Sequence, residues 1–201
     1  MSGNTESWMC LMAASICFGS FARAMRRHFA AERPLAPMTA AAAVCGAASA
    51  VLHLFGIWTM AGTQPGTLYG WALCRPWAAV AMYGASLGLF RAALRASRHC
   101  GLRACYDAGA PVTLAAEGPY RWIRHPFYTA YMIAWAAGVV ASGWWPLAAS
   151  GVLMSAFYAR AAILEERALL AGPIAGRYRR YMRSRGRFLP WKIPGGANAG
   201  Q

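Results

Sequence analysis

The feature that most constrains the fold is residues 127–164, which are apolar almost throughout and carry Trp144-Trp145-Pro146 near their middle. These three residues suit a turn between two helices of similar length, residues 127–143 and 147–164. At 1.5 Å per residue each helix is roughly 25 Å long, enough to cross the core of a thin bilayer. The pattern therefore predicts a helical hairpin in a membrane.

Two polar segments bound this hairpin. The segment GPYRWIRHPFY, residues 118–128, precedes the first helix, and Glu165-Glu166 follows the second. Because the two helices are of similar length, we expect His125 and Glu165 to lie at the same depth. A cationic and aromatic segment is then expected to face a pair of carboxylates.

The start of the first hairpin helix is suited to binding an anion. Pro126 is tolerated in the first turn of a helix, where its missing N–H costs nothing, and His125 falls at the cap. A helix start presents free backbone N–H groups and a partial positive charge. Further hydrogen-bond donors come from Tyr120, Arg121, Arg124 and Tyr128.

The composition is that of one membrane domain. Of the 201 residues, 58% are hydrophobic, the mean hydropathy is positive, and no linker divides residues 1–201. We predict an all-α integral membrane protein with about five transmembrane helices, of which the hairpin is the C-terminal pair. Residues 1–95 would form the N-terminal helices, residues 96–190 the functional core and residues 191–201 a disordered tail. The expected spans are residues 8–21, 38–58, 76–90, 127–143 and 147–164.

The net charge of +14 would indicate binding to nucleic acid only if the chain were soluble. Here every basic residue except Arg75 lies in residues 23–33, in residues 91–124 or after residue 159. The positive-inside bias places the N-terminus outside and the C-terminus in the cytoplasm, in what we expect is a bacterial cytoplasmic membrane. Nucleic acid is not expected as a partner. Glu6 and the lack of a basic segment before the first apolar run argue against a cleaved signal peptide.

The cysteines and histidines do not predict a metal site. The six cysteines include no CxxC pair, and most lie in apolar spans, where burial as small hydrophobic residues is expected. His99, Cys100 and Cys105 lie close together, but no second ligand pair follows at zinc spacing. His53 lies inside a span, where an ionisable group is a functional candidate. A neutral histidine that is hydrogen-bonded to a neighbouring helix is the favoured interpretation.

The adjacent carboxylates of Glu165 and Glu166 have two interpretations. They either neutralise the nearby arginines or receive a cationic ligand. A ligand that suits both the helix start and the carboxylates is zwitterionic and carries an extra positive charge. S-adenosylmethionine has these groups: a carboxylate, an ammonium and a sulfonium. No glycine-rich dinucleotide loop is present, which excludes a Rossmann-type methyltransferase.

The combination of GPYRWIRHPFY, a hydrophobic hairpin, EERALL, tyrosines at 178 and 181, and RFLP resembles the isoprenylcysteine carboxyl methyltransferase family of integral membrane enzymes. Phospholipid N-methyltransferases are related to that family. The N-terminal half is similar only in being membrane spans. The resemblance implies a cytoplasmic pocket for S-adenosyl-L-methionine. The residues it assigns to cofactor binding are Val112, Thr113, Leu114, Ala115, Tyr120, His125, Pro126, Phe127, Tyr128 and Glu165.

Two positions depart from the family pattern. Val112 stands where the family usually has a histidine, which removes one polar contact to the cofactor. The arginine that orients the substrate in the family lies four residues before the glutamate, where this chain has Ala161. Arg160 is the nearest candidate, and a local bulge would be needed to align it with Glu165. The candidate catalytic residues are therefore Arg160 and Glu166.

The acceptor decides what the catalytic residues must do. A carboxylate is already nucleophilic and needs only alignment with the methyl group, whereas an amine or phenol also needs a base such as Glu166 or Glu165. The expected activity is O-methylation of a carboxylate on an isoprenylcysteine-like or other lipid-like acceptor that reaches the site from the membrane lipid. The alternatives are N- or O-methylation of a phospholipid or small molecule, an NADPH-dependent membrane reductase with a similar core, and a non-catalytic protein that retains the fold.

Overall fold

The computed structural model describes residues 2–28, 37–62, 71–98 and 114–190, and these residues are helical without any β-strand. The helices of this part of the chain, in order, are α1 (Ser2–His28), α2 (Pro37–Gly62), α3 (Trp71–Ala96), a 3₁₀-helix (Gly118–Arg121), α4 (Pro126–Ser142), α5 (Trp145–Ala171) and α6 (Ala175–Ser184). The all-α prediction is confirmed for the described residues. The predicted tail, residues 191–201, lies outside them, as do His99, Cys100 and Cys105.

Three helical segments are long and apolar enough to cross a membrane, judged by length and composition: Thr5–Arg27, Cys74–Ala96 and Trp145–Ala171. Each of the five predicted spans coincides with part of one of the helices α1 to α5. Helix α4 has 17 residues, and the apolar part of α2, Ala43–Thr59, is also shorter than the three candidates. The count of five spans stays a prediction.

Helices α1 and α3 pack side by side and run in the same direction. The Cys10 thiol donates to the carbonyl of Pro76 at 3.5 Å near one end, and the rings of Phe21 and Phe90 are 4.7 Å apart near the other. The arginines that end each helix, Arg23, Arg26 and Arg27 in α1 and Arg91 and Arg95 in α3, consequently lie at the same end of the bundle. We call it the basic end.

The predicted hairpin is confirmed, but its turn is shorter than expected and its two helices differ in length. Helix α5 continues to Ala171 instead of ending at residue 164, so Glu165 and Glu166 lie within it. Helix α4 ends at Ser142, and Gly143 adopts a left-handed conformation (φ 66°) while donating its N–H to the carbonyl of Val139 at 2.7 Å. Trp145 and Pro146 belong to the first turn of α5. Pro146 is tolerated there because that turn accepts a proline without losing a hydrogen bond.

Arg75, which lies outside the three basic stretches of the sequence, has a structural role at the end of the bundle opposite the basic end. Its Nε donates to the carbonyl of Val140 at 3.1 Å in the last turn of α4. A cation near a helix C-terminus stabilises the partial negative charge there. The side chain of Arg75 also lies against Gly143, so that a Cβ at that position would be only 2.1 Å from its Nη2.

An aromatic core joins α4 to α1 and α3. Phe127 packs against Phe90 with ring centroids 5.2 Å apart, and Tyr131 packs against Phe21 at 4.9 Å. Deeper in the bundle His53 is fully buried, and its Nδ1 lies 2.9 Å from the carbonyl of Ser49 in its own helix. This contact of Nδ1 is within α2, and the His53 ring also packs against Trp135 of α4, with ring centroids 4.9 Å apart. Of the described cysteines, Cys10 and Cys17 are buried, Cys45 is half-buried and Cys74 is exposed.

Candidate functional site

The site begins at the start of α4, where the sequence predicted it. His125 is the N-cap residue of α4 and Pro126 occupies its first turn. The preceding 3₁₀-helix rests against the end of α3: Gly118 has φ 56°, and a Cβ there would lie 3.1 Å from that of Ala96. These contacts hold His125 at the basic end of the bundle, with 8% of its surface exposed.

The backbone around His125 is held by the C-terminal strap, which we define as residues 185–190. Ile123 and Gly186 form an isolated parallel bridge. Arg124 donates its N–H to the carbonyl of Gly186 at 2.9 Å, and His125 donates its N–H to that of Arg187 at 3.1 Å. RFLP, residues 187–190, is part of the family resemblance, but no local pattern in the sequence predicts this pairing.

Glu166 lies at the centre of a buried ion-pair cluster. It is 3% exposed, and its Oε1 accepts from Nε of Arg124 at 3.0 Å and lies 3.1 Å from Nε2 of His125. Arg187 donates from Nη2 to Oε2 at 2.7 Å. Arg124 and His125 precede α4 and Arg187 belongs to the C-terminal strap, so Glu166 joins the end of α5 to these two segments.

Glu165, its neighbour in sequence, is in a different position. Its side chain is 35% exposed, and its Oε2 lies 3.5 Å from Nδ1 of His125. The hydroxyl of Tyr128 donates to its Oε1. The two carboxylates therefore differ in environment: Glu166 neutralises local cations, whereas Glu165 is partly exposed to solvent.

The charge of His125 follows from these contacts. Burial lowers the pKa of His125, but hydrogen bonds to Glu165 and Glu166 and the charges of both carboxylates outweigh burial, so that its pKa is raised above 6.5. With one ring nitrogen beside each carboxylate, the imidazole ring suits the doubly protonated, cationic form.

Aromatic rings border Glu165. The ring of Tyr128 stacks on His125 at 5.5 Å and on Tyr158 at 5.6 Å. Tyr158 was not predicted as a site residue, although a signal was present: it lies two helical turns before Glu165, on the same face of α5.

The paired tyrosines Tyr178 and Tyr181 are buried on α6. The Tyr181 hydroxyl donates to the carbonyl of Tyr120 at 2.8 Å, which ties α6 to the 3₁₀-helix. Burial raises the pKa of Tyr181 to about 12, and it also raises the pKa of Tyr178. Both hydroxyls therefore remain protonated near neutral pH, and their role is to position the elements around the site.

The structure brings some of the predicted site residues together and separates others. Tyr120, His125, Pro126, Tyr128, Glu165 and Glu166 lie at the basic end, whereas the ring of Phe127 packs into the core against α3. Leu114 and Ala115 are half-buried just before the 3₁₀-helix. Val112 and Thr113 lie outside the described residues.

Arg160 does not reach the cluster. Helix α5 is one continuous α-helix in which Ala161 is fully buried beside Tyr128, and Arg160 is exposed on another face. Arg160 forms no ion pair within the described residues. The bulge that would align Arg160 with Glu165 is therefore not present.

The site thus combines an exposed carboxylate, a buried cationic cluster and stacked aromatic rings. The part of the chain that the structure describes contains no group of histidine, cysteine and acidic side chains arranged to hold a metal ion. No model of a known protein family matches the chain, and no curated protein matches it at a significant level.

Proposed function

We propose that this protein is a membrane-embedded S-adenosylmethionine-dependent methyltransferase that acts on a lipid-like acceptor. The observation that carries the proposal is the contact of Glu165 with His125 and Tyr128. Glu165 lies near the end of α5 and the other two residues lie at the start of α4. Glu165 remains partly exposed there while Glu166 is neutralised by arginines.

The residues present fit the chemistry of the cofactor. An ammonium or sulfonium group needs a carboxylate that it can reach, and the partly exposed Glu165 offers one that His125 and Tyr128 hold in place. The half-buried ring of Tyr158, stacked on the buried Tyr128, provides an aromatic surface, which attracts cations and planar rings. The residues proposed to hold the cofactor are Val112, Thr113, Leu114, Ala115, Tyr120, His125, Pro126, Phe127, Tyr128 and Glu165.

When bound, S-adenosylmethionine supplies a methyl group on a sulfonium that is activated for transfer. The protein must orient the acceptor, bring it near that methyl group and exclude water. We assign Glu166 a positioning role instead of that of a base, because its carboxylate is engaged by Arg124, His125 and Arg187. An acceptor carboxylate needs no base, and for this reason O-methylation of a carboxylate is the reaction we favour.

Arg160 is proposed to meet the acceptor from the bilayer side. It is exposed on α5 and forms no ion pair with the described acidic side chains. An isoprenylcysteine-like acceptor has an apolar chain that stays in lipid and a carboxylate that needs a cation. A flexible exposed guanidinium is suited to that task.

The proposed arrangement has five membrane spans in a bacterial cytoplasmic membrane, with the N-terminus outside and the site at the cytoplasmic face. Its support is the clustering of arginines from α1, α3 and α6 around the same end as His125. At the other end, Arg75 is engaged by the C-terminus of α4.

The test is calorimetric binding of S-adenosylmethionine and of its demethylated product to the full chain in detergent. We expect both to bind, and Glu165→Gln to weaken binding by about tenfold or more, since a hydrogen bond to a charged group contributes about 1.5–3 kcal/mol. The control is Glu6→Gln, because Glu6 lies near the start of α1, away from the basic end of the bundle. This variant should bind as the wild type does. Absence of binding would overturn the proposal, and binding of NADPH instead would favour the reductase alternative.

Transfer is tested by incubating the protein with methyl-labelled S-adenosylmethionine and three acceptors in separate reactions: a prenylated cysteine, its methyl ester and a phosphatidylethanolamine. Label on the free carboxylate but not on the ester supports O-methylation. Label on the phosphatidylethanolamine alone would replace this reaction with N-methylation.

A further inference from the structure

A groove of about 410 Å³ runs between α1 and α3, and the residues that line it belong to these two helices. The buried side chains of Ala24 and Phe90 are among those that line it. Toward the basic end the lining is cationic, and toward the middle of the helices it consists of small and apolar residues, among them Ile16, Gly19 and Leu87.

The cationic part of the groove holds three arginines. Arg23 and Arg27 are one turn apart on α1, and Arg91 faces them from α3. All three are exposed, and none forms an ion pair within the described parts of the chain. Of the described acidic residues, Glu165 and Glu166 are engaged at the His125 cluster. The groove therefore has positive charge that no described protein group neutralises.

The apolar part of the groove is open because Gly19 has no side chain. A Cβ on Gly19 would meet no atom within 4 Å, and the neighbouring Ile16 is 58% exposed. Both flanking helices contain segments that are apolar enough to cross a membrane. An open apolar groove on such helices suits a hydrocarbon chain, and its three arginines suit a phosphate, which guanidinium groups bind with two parallel hydrogen bonds.

We propose that this groove binds one anionic phospholipid. The phosphate accepts hydrogen bonds from Arg23, Arg27 and Arg91, and one acyl chain lies along the helices over Gly19. Basic pockets between membrane helices on the cytoplasmic side have the chemistry that recognises acidic lipid head groups. This inference goes beyond the proposed methyl transfer and does not depend on it.

The groove also has a physical connection to the site. Phe90, which lines the groove, packs against Phe127 at 5.2 Å and Tyr131 at 5.8 Å on α4. A lipid over Phe90 therefore supports the packing behind the start of α4. Bound lipid is expected to raise the thermal stability of the protein, because it binds the folded state.

The experiment is native mass spectrometry of the full chain in detergent, titrated with phosphatidylglycerol or, separately, with phosphatidylcholine. We expect one tightly retained phosphatidylglycerol per chain. Arg23→Gln combined with Arg91→Gln should weaken its binding by about tenfold or more, the value expected for losing charged hydrogen bonds. Arg95→Gln is the matched control: it is an exposed arginine at the same end of α3 that does not line the groove, and it should bind as the wild type does.

A second pair of variants tests the apolar part without changing charge. Gly19→Leu fills the groove and should reduce lipid retention by about tenfold, the effect of a lost chain contact of about 1.4 kcal/mol. Gly88→Leu is its control, because a Cβ there also meets nothing within 4 Å but Gly88 does not line the groove. Since a Cβ at either position meets no atom within 4 Å, this pair of variants tests the proposal even if the arginine variants fold poorly.

Four results would overturn the proposal. They are equal retention of phosphatidylcholine, undiminished phosphatidylglycerol binding by Gly19→Leu, displacement of the lipid by millimolar inorganic phosphate alone, and a dimer that excludes lipid from the groove. Because S-adenosylmethionine plays no part in the measurement, failure here leaves the methyltransferase proposal unaffected.

Discussion

Nε2 of His125 lies 3.1 Å from Oε1 of Glu166, although the two residues are 41 positions apart and belong to different helical ends. Both are buried. The same carboxylate accepts from Arg124 and Arg187. One buried acid thus organises the start of α4, the end of α5 and the C-terminal strap.

The two adjacent glutamates should respond differently to the same substitution. Glu166→Gln leaves buried cations without their counter-charge, so we expect it to lower the free energy of unfolding by about 3–5 kcal/mol. Glu165→Gln alters a partly exposed pair and should cost less than about 1 kcal/mol. Denaturation in detergent, followed by tryptophan fluorescence, measures both. Equal losses would show that Glu166 has no special structural role.

The stability of the cluster should fall as pH rises. The folded-state pKa of His125 is raised above the ordinary value of 6.5, so the stability from its ion pairs is complete below pH 6.5 and is lost as pH rises through the raised pKa. The melting temperature in detergent should therefore decrease on the alkaline side of that range. His125→Gln should flatten this part of the profile, and an unchanged profile in the variant would assign the effect to another group.

The C-terminal strap should contribute to site integrity through Arg187. We expect Arg187→Gln to lower the free energy of unfolding by about 1–2 kcal/mol, because it removes two charged hydrogen bonds to Glu166 from a side chain that is partly exposed. Arg183→Gln removes an exposed arginine of α6 and is the control. If the two variants unfold alike, the strap is held by its backbone contacts alone.

The packing of α4 against α2 and α3 should not tolerate a side chain at position 138. A Cβ on Gly138 would be 2.2 Å from Cδ2 of the fully buried His53 and 3.2 Å from the Tyr83 hydroxyl. Gly138→Ala is therefore expected to destabilise the protein by about 1–3 kcal/mol through overpacking. Gly88→Ala meets no neighbouring atom and should be neutral or stabilising by up to about 1 kcal/mol. Thermal unfolding of both proteins side by side decides the matter.

Arg160 should affect turnover more than cofactor affinity. If it orients an acceptor carboxylate, Arg160→Ala should reduce kcat/KM for the acceptor by about tenfold or more, the value of one charged hydrogen bond. Affinity for S-adenosylmethionine should be unchanged. Arg167→Ala, another exposed arginine of α5, should have little effect on either quantity. Turnover that is unaffected by Arg160→Ala would remove Arg160 from the mechanism.

Local signals in the sequence located the main elements of the fold. Pro126 marks the start of α4, as a proline in the first turn of a helix predicts. The matched lengths of the two apolar runs placed His125 near Glu165, and the 3.5 Å separation of Nδ1 and Oε2 confirms that expectation. Their role in binding a cofactor stays a prediction.

The sequence by itself determined the helical hairpin, the start of α4 and the clustering of basic residues, because hydropathy and helix-breaking residues act locally. Only the tertiary structure decided that Glu166 is buried and Glu165 exposed, since adjacent helical residues point about 100° apart and the neighbouring segments select the buried one. It also decided the pairing of Ile123 with Gly186. That contact depends on how segments that are distant in sequence pack together, and no local pattern in either segment predicts the other as its partner.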